Sequence, residues 1–311
     1  MDIPSFLQPQ SKTHSEDSVY IHSIFQHNKS LGCSKAIWWP NEDPKTVVLF
    51  IPGNPGLSEF YIPFLSALHQ QNGNICILAQ SHLGHTQEAP ALVHDLAAQV
   101  SAATEAFDAL VQTYPQRRYV VIGHSVGSWI AVQVLKARSS DIHSLFLLFP
   151  TIANISDTPN GRSLFWAFQP PLPHIISKMS FLLRPLYSSI LPLLFNEWPR
   201  AQIDVLLALL HSPSCIKACL SMAHEEMNTI CELDVNLIET HKHRIHMYFA
   251  ETDDWVGKNK GVILRSFNPD PESVKVVHGE HGVPHAFCIN HSDELANQCT
   301  LWLRQNGLDD E

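Results

Sequence analysis

A possible nucleophile stands at the centre of the run VVIGHSVGSWI, which spans residues 120–130. The middle five residues, Gly-His-Ser-Val-Gly, place Ser125 between an apolar stretch and a run of helix-forming residues. Glycines two positions before and after a serine are typical of a sharp strand-to-helix turn that holds the hydroxyl outwards, because larger side chains would collide there. The pentapeptide alone is a weak signal. Its position between a predicted strand and a predicted helix favours a nucleophilic serine.

The acid of such a site is expected after a later strand. A serine hydroxyl is a poor nucleophile at neutral pH, so it needs a histidine base that an Asp or Glu holds in place. With this kind of serine turn the order along the chain is serine, acid, histidine. The apolar run at 246–249 is followed closely by Glu251, Asp253 and Asp254. We take Asp253 as the acid, with Asp254 as its alternative.

The base is expected in the histidine-rich loop HGEHGVPH, which follows a predicted strand at 273–277. His285 ends this loop directly before a predicted final helix, where the base of such a site belongs. His281 is the alternative. His278 is disfavoured, because it comes too soon after the strand to reach back over the serine turn.

An oxyanion intermediate would need two preorganised backbone N–H groups. One comes from the residue after the nucleophile, Val126, and the other from the loop after an earlier strand. That loop is Pro-Gly-Asn-Pro-Gly at 52–56, whose prolines have no N–H to donate. Asn54 is therefore the expected second donor.

The elements that would position these residues alternate between strand and helix. Short apolar runs bounded by turn residues predict buried strands, and longer stretches predict helices. Such alternation is typical of a mostly parallel, doubly wound α/β sheet with helices on both faces, in which ligands bind at the carboxyl ends of the strands. The predicted strands lie at 47–51, 75–79, 118–122, 145–149, 243–249 and 273–277, and the predicted helices at 59–70, 93–114, 125–137 and 293–305.

A region without strand-like runs, at about 152–239, interrupts the alternation. No linker, charge block or repeat divides the chain, so we expect one domain whose core is formed by 1–151 and 240–311. In a fold whose strand ends carry the site, an insertion at this place is expected to form a lid or cap over it.

The insertion contains an unusually apolar segment at 164–195, and no acid lies between Asp157 and Glu197 although basic residues do. No stretch reaches the roughly 18 uninterrupted apolar residues of a spanning helix. The prolines predict short apolar helices that contact one leaflet or a droplet monolayer, or that line an acyl pocket. Membrane or lid contact is expected for Phe165, Trp166, Phe168, Phe181 and Tyr187.

Composition argues against several classes of protein. The formal net charge is −10 and no Lys/Arg cluster occurs, so nucleic acid binding through a basic surface is not expected. The histidine spacings do not match a helical His-Glu-x-x-His site, and we expect neither a metal nor an organic cofactor. The start, MDIPSFLQPQ, lacks the features of a secretory signal, and seven cysteines without a Cys-x-x-Cys pair fit reduced thiols. We expect a protein that is not secreted.

Four segments of the chain carry a family likeness: FIPGNPGLSEFYIPFL at 50–65, GHSVGSWI at 123–130, YFAETDDWV at 248–256 and VPHAF at 283–287. Together they resemble the lipid droplet-associated hydrolase family of α/β-hydrolases. PGNPG followed by Phe-Tyr is the most specific element, because most α/β-hydrolases carry His-Gly in that loop. The resemblance implies the α/β-hydrolase fold, with Ser125 as nucleophile, His285 as base and Asp253 as acid. It also implies contact with lipid droplets.

The sequence therefore predicts a carboxylic ester hydrolase of the serine lipase or esterase type. Its substrate would be an acyl or neutral lipid ester at the cytosolic face of a lipid droplet or of the endoplasmic reticulum, and its partner the droplet monolayer or membrane surface. Two alternatives are a droplet-binding protein with little turnover and a soluble esterase or thioesterase for a small acyl substrate.

Overall fold

A computed structural model of the chain describes residues 3–10, 19–28, 30–87, 93–265, 275–279 and 282–308. Its framework is a nine-stranded sheet. The strands are β1 (Leu7–Pro9), β2 (Ile21–Gln26), β3 (Cys33–Trp39), β4 (Thr46–Ile51), β5 (Ile75–Gln80), β6 (Arg118–His124), β7 (Ile142–Leu148), β8 (Ile245–Phe249) and β9 (Lys275–His278). They lie side by side in the order β1-β2-β3-β5-β4-β6-β7-β8-β9.

The parallel part of the sheet consists of the six neighbouring strands β5, β4, β6, β7, β8 and β9. Every residue of β4 and β5 is buried, which explains why both strands read as continuous apolar runs. The predicted strands are all present, and β7 begins three residues earlier than predicted. Of the strand predicted at 273–277, the structure describes the part from Lys275 onwards. Residues 266–274 lie outside the described residues.

The first three strands were not predicted. They form an antiparallel extension in which β1 pairs with β2, β2 with β3, and β3 with β5. In β2 the side chains of Ile21, Ser23 and Phe25 are buried, and the residues between them are more exposed. One face of this edge is therefore covered by the protein, as is common for antiparallel strands.

Ten helices are described: α1 (Ile62–Gln71), α2 (Leu96–Thr113), α3 (Val126–Ala137), α4 (Pro159–Phe168), α5 (Leu172–Leu194), α6 (Arg200–Leu210), α7 (Pro213–Thr229), α8 (Val235–His241), α9 (Asn259–Arg265) and α10 (Ser292–Gln305). The strand β4 shows how they cover the sheet. Val47, Leu49 and Ile51 pack into the core that contains α2 and α3, whereas Val48 and Phe50 pack into the core that contains α1 and α10. The sheet is thus covered on both faces, as predicted.

The insertion consists of the helices α4 to α8 between β7 and β8. The helix α7 lies at its centre and packs against α4, α5, α6 and also α2. The insertion is therefore attached to the core by packing as well as by its two chain connections.

The expectation of short helices in the apolar segment is wrong. The helix α5 is 23 residues long and continues through Pro185 and Pro192. An interior proline removes one helical hydrogen bond and usually kinks or ends a helix, but here the helix also packs against α4, α6 and α7. In the part of the chain described, no single helix is both long and apolar enough for a membrane span, whereas α6 and α7, bent by 92° to each other, pass that test together by length and composition.

Candidate active site

The turn between β6 and α3 carries Ser125, whose backbone has φ +53° and ψ −123°. A non-glycine residue with positive φ is uncommon and marks a strained backbone. The flanking glycines make the turn possible. A Cβ atom at Gly123 would lie 2.4 Å from the carbonyl oxygen of Gly127, and one at Gly127 would lie 2.2 Å from that of Ile51. No other residue type fits at either position without moving the backbone.

The structure brings Ser125, His285 and Asp253 together. The Oγ of Ser125 lies 2.9 Å from Nε2 of His285, and Nδ1 of the same ring lies 2.8 Å from Oδ2 of Asp253. Because a carboxylate only accepts hydrogen bonds, Nδ1 carries the proton and Nε2 is free to accept one from the serine hydroxyl. The three side chains thus form a continuous hydrogen-bonded relay, in the arrangement expected of a nucleophile, its base and its acid.

The loop after β8 selects Asp253 over its neighbour. Its Oδ1 accepts hydrogen bonds from the backbone N–H groups of Trp255 at 2.9 Å and Val256 at 3.2 Å, which hold the carboxylate facing His285. Burial alone would raise the pKa of Asp253, but the hydrogen bonds from His285 and from these two N–H groups outweigh it and lower the pKa. Asp254, the alternative acid, is exposed.

The loop before α10 places His285 over the serine turn. His278, the last residue of β9, is exposed and lies away from this relay. His281, the alternative base, lies outside the described residues.

A second hydrogen-bonded chain, which the sequence did not reveal, supports the first. The backbone N–H of Gly53 donates to the hydroxyl of Tyr61 at 3.1 Å, and that hydroxyl donates to Nδ1 of His124 at 2.7 Å. The Nε2 of His124 donates to the carbonyl oxygen of His285 at 2.9 Å. Burial lowers the pKa of His124 to about 3, so the ring is neutral and can both accept and donate. His124 therefore links the loop at 52–56 to the backbone of the base.

The loop at 52–56 is also held by the lid. The side-chain amide of Asn54 donates to the carbonyl oxygen of Cys219 and to Oε1 of Glu226, each at 2.9 Å, and both residues belong to α7. The backbone N–H groups of Asn54 and Val126, the two expected oxyanion donors, have no hydrogen-bond acceptor within the described ranges. Both groups are thus available to a ligand, and Asn54 lines the cavity described next.

A cavity of about 210 Å³ lies between the serine turn and the lid. The core contributes Ser125 and His285, and the lid contributes mainly apolar side chains together with the carboxyl group of Glu226. The full lining is Asn54, Pro55, Ser125, Ile155, Phe168, Cys219, Leu220, Ala223, Glu226, Met227, Trp255 and His285. An apolar cavity with a few convergent polar groups is the usual form of a small-molecule site.

The five lid residues expected at a lipid surface are placed differently from one another. Trp166 is 64% exposed, and Phe165 and Phe181 are also exposed. Tyr187 is half-buried against the ring of His211. Phe168 is only 8% exposed and lines the cavity, so it lies in the inner wall of the lid and not on its exposed surface. Phe168 is the last residue of α4, which packs against α7. Because it follows Trp166 by two positions, the two side chains lie on different faces of the helix, and only Trp166 is exposed.

No metal site emerges from these groups. Across the described parts of the chain, no group of three or more His, Cys, Asp or Glu side chains is placed to hold a metal ion.

Comparison with known proteins identifies the family. Residues 44–288 match the family model described as lipid-droplet associated hydrolase. A lipid droplet-associated hydrolase of Rattus norvegicus is 28% identical, covering 84% of this chain and 85% of the relative. That of Homo sapiens is also 28% identical, covering 82% of this chain and 83% of the relative.

The fold is shared with solved structures of lower sequence identity. An epoxide hydrolase from Vigna radiata superposes with a TM-score of 0.65 at 15% identity, covering 92% of this chain and 99% of the other. Such a match bears on architecture alone, and it confirms the α/β-hydrolase fold predicted from the sequence. Because residues 44–288, most of the chain, match the family model, the chain belongs to the lipid-droplet associated hydrolase family, whose members are hydrolases of the α/β type.

Proposed function

We propose that the protein is a serine ester hydrolase that acts on acyl or neutral lipid esters at the surface of a lipid droplet or of the endoplasmic reticulum. The observation that carries the proposal is the relay in which His285 contacts Ser125 Oγ at 2.9 Å and Asp253 Oδ2 at 2.8 Å. A serine next to an imidazole, itself oriented by a carboxylate, is the arrangement that acyl transfer requires.

In the first half of the reaction Ser125 Oγ attacks the ester carbonyl carbon and Nε2 of His285 takes the hydroxyl proton. The oxygen of the tetrahedral intermediate carries the negative charge. The intermediate collapses when the C–O bond to the alcohol breaks, and His285 returns its proton to the departing alkoxide. The product of this half is an acyl ester on Ser125 and a free alcohol.

In the second half a water molecule takes the place of the alcohol. His285 removes a proton from the water as its oxygen attacks the acyl carbon, and the second intermediate releases the carboxylic acid as Ser125 regains its proton. Asp253 keeps its charge throughout, because its role is to hold Nδ1–H and to stabilise the imidazolium that forms twice in each cycle.

The negative oxygen of both intermediates would be stabilised by the backbone N–H groups of Val126 and Asn54. Support for this comes from their position at the start of α3 and in the loop at 52–56, and from the absence of a protein acceptor for either group among the described residues. Such a donor typically lowers the barrier by about 3 kcal/mol.

The helix α5 supports action at a lipid surface, because most of its large apolar side chains are exposed. The buried positions of α5 are Pro173, Ser177, Ser180 and Leu191, and the hydroxyls of the two serines bond to carbonyl oxygens of the same helix. The outer face carries large apolar side chains, such as Leu182 and Leu193, which are 68% and 78% exposed. Core packing therefore does not account for the exposed apolar residues of α5.

The exposed apolar side chains of α4 and α5 form one surface, which we call the apolar lid face. It consists of Leu164, Phe165, Trp166, Ile175, Met179, Phe181, Leu182, Leu183, Leu186, Ile190, Leu193 and Leu194. The charged residues that α5 itself carries are basic, Lys178 and Arg184. Apolar side chains with basic residues beside them favour the interface of a lipid layer. The names of the relatives, lipid droplet-associated hydrolases, agree with this placement.

The test of the chemistry is labelling of the purified protein with a fluorescent alkyl phosphonate, which reacts only with an activated serine. We expect labelling of the wild type and none of Ser125→Ala. The exposed helical serine of Ser101→Ala is the matched control and should leave labelling intact. A folded wild-type protein that does not react would contradict the proposal and would favour a droplet-binding protein without turnover.

The test of the surface is flotation with artificial droplets made of a triolein core and a phosphatidylcholine monolayer. We expect the wild type to float with the droplets and the double variant Leu182→Asp/Leu193→Asp to remain in solution, because two charges then face the lipid. Leu301→Asp is the control, since this exposed leucine lies on α10, outside the apolar lid face. If the wild type stays in solution, the soluble esterase becomes the better assignment.

A further inference from the structure

A carboxyl group that the proposed reaction does not use lies in the wall of the catalytic cavity. Glu226, on the lid helix α7, is 5% exposed and lines the same cavity as Ser125 and His285. Its neighbours in the wall include Phe168, Leu220 and Met227, which are apolar. Charged groups are seldom placed in such surroundings without a partner, since their desolvation is costly.

The partner of Glu226 accounts for only one of its two oxygens. Oε1 accepts the hydrogen bond from the amide of Asn54 at 2.9 Å. In the ranges that the structure describes, Oε2 accepts no hydrogen bond, and no Lys, Arg or His forms an ion pair with this carboxyl. An acceptor without a donor therefore faces the space that the substrate would fill.

Glu226 does not duplicate a member of the triad. The Nε2 of His285 is already bonded to Ser125 and its Nδ1 to Asp253, so neither ring nitrogen is left for a second carboxylate. Any role in the reaction must pass through Asn54 or through the substrate.

We propose that Glu226 is a specificity-determining residue, whose Oε2 accepts a hydrogen bond from a free hydroxyl on the alcohol half of the ester. The inference rests on the proposed ester hydrolase function and adds a substrate class to it. The favoured substrates are esters that keep a hydroxyl near the scissile bond, as partial acylglycerols do. Fully acylated esters, which lack a hydrogen-bond donor, are disfavoured.

The selection follows from desolvation. An ester without a hydroxyl covers Oε2 with apolar surface and leaves it without water or a donor, whereas a hydroxyl replaces the water that is lost. Sites built to bond a hydroxyl reject analogues that lack it more strongly than apolar pockets reject an extra group. Burial raises the pKa of Glu226 to about 7, and the Asn54 hydrogen bond opposes this rise. At pH 8 the group is therefore mainly a carboxylate, which only accepts hydrogen bonds.

The experiment compares two oleoyl esters, one with both glycerol hydroxyls free and one with both masked in a cyclic ketal. These are 1-monooleoylglycerol and its 2,3-isopropylidene derivative, in which both hydroxyls are masked, presented in the same detergent micelles at pH 8. We expect the wild type to have the higher kcat/KM for monooleoylglycerol. In Glu226→Met the ratio of the two kcat/KM values should fall about tenfold or more, the effect of losing a hydrogen bond to a charged group. Glu225→Met, on the same helix but outside the cavity, should keep the wild-type ratio.

A second variant separates substrate recognition from support of the loop. Glu226→Gln retains an oxygen that can accept from Asn54, so the loop at 52–56 stays held while the charge is lost. We expect its ratio to fall by about threefold or more, because the hydroxyl loses its hydrogen bond to a charged acceptor. If Glu226→Met does not fold, this variant decides the question.

Three results would overturn the inference. A wild type that hydrolyses both esters equally well has no preference for a hydroxyl. A fall of both kcat/KM values by one factor in Glu226→Met would mean that Glu226 acts only by holding Asn54. Hydrolysis of neither ester, together with no phosphonate labelling of Ser125, would instead overturn the ester hydrolase function on which the inference depends.

Discussion

The sheet and the lid use apolar residues in opposite ways. In the sheet, β4 and β5 are entirely buried, and their side chains fill the cores on both faces. In the lid, the long helix α5 buries only four of its 23 residues and places large apolar residues such as Leu182 in contact with solvent. Hydrophobicity stabilises the fold in the first region, and in the second it remains available for another surface.

The difference also divides the site. The sheet supplies the atoms of the proposed reaction, Ser125, Asp253 and His285, from turns and loops at the ends of its strands. The lid supplies most of the cavity wall and the apolar lid face. Changes in the sheet should therefore affect turnover and folding, and changes in the lid should affect which ester is bound and where.

The largest effect is expected for Asp253→Asn. The amide cannot hold His285 in the tautomer that accepts the serine proton, so kcat for a p-nitrophenyl ester should fall about ten-thousandfold. Asp254→Asn is the matched control and should stay close to wild type, because Asp254 is exposed beside the relay. Equal losses in the two variants would contradict the assignment of the acid.

The second-largest effect is expected for Gly127→Ala, which causes a backbone collision. In Gly127→Ala the new methyl group would lie 2.2 Å from the carbonyl oxygen of Ile51, and neither side can move freely within the core. The free energy of unfolding should fall by more than about 4 kcal/mol. Gly73→Ala, where nothing lies within 4 Å, should change it by less than about 1 kcal/mol. Urea unfolding monitored by circular dichroism measures both, and a stable Gly127→Ala would mean that the serine turn is more open than described.

Glu226 should make stability depend on pH. Its pKa rises from the ordinary value of 4.5 to about 7 on folding, mainly through burial. The folded state therefore holds the proton more tightly, and stability should fall as pH rises from about 4.5 to about 7. The loss is on the order of 3 kcal/mol. Glu226→Gln should lack this loss, so its Tm relative to wild type should increase over that interval, while Glu225→Gln follows wild type. Parallel curves for all three proteins would refute the buried position of the carboxyl.

The smallest effect tests the lid surface directly. Leu182→Ala on α5 should change the free energy of unfolding by less than about 0.5 kcal/mol, because this side chain has little packing to lose. The same substitution at Leu147, which is fully buried in β7, should cost about 2 to 5 kcal/mol. A large loss at Leu182 would indicate that α5 packs against protein, which would remove the distinction between the two regions.

Most of the sheet, and the three residues that the structure brings together, could be predicted from the sequence. Continuous apolar runs such as the one in β4 exist because both faces are covered, and their ends mark the loops that hold Ser125, Asp253 and His285. The sequence pattern left Asp254 as an alternative to Asp253. The structure separates the two, because the N–H groups of Trp255 and Val256 donate to the carboxylate of Asp253.

The lid was less accessible to prediction. Prolines normally end helices, so the continuous α5 could not be read from a sequence that contains Pro185 and Pro192. The buried position of Phe168 depends on how α4 rests on α7, which is a tertiary contact. The inward position of Glu226 could have been inferred from the sequence. Glu226 shares a buried helical stripe with Cys219, Met222 and Ala223, and an acid on such a stripe points inwards.

The position of the lid in the chain gives it a modular character. The strands that flank it, β7 and β8, are direct neighbours in the sheet, with Leu148 opposite Tyr248. Because the two strands run parallel, the insertion leaves the core at the carboxyl end of β7 and returns at the amino end of β8, so it also forms the crossover between them. A replacement must therefore supply a crossover of about a dozen residues or more, and the lid of a relative could do so with the hydrogen-bond ladder of the sheet preserved. A graft of this one contiguous segment would exchange the lid's part of the cavity wall and the apolar lid face, while Ser125, Asp253 and His285 stay with the recipient core.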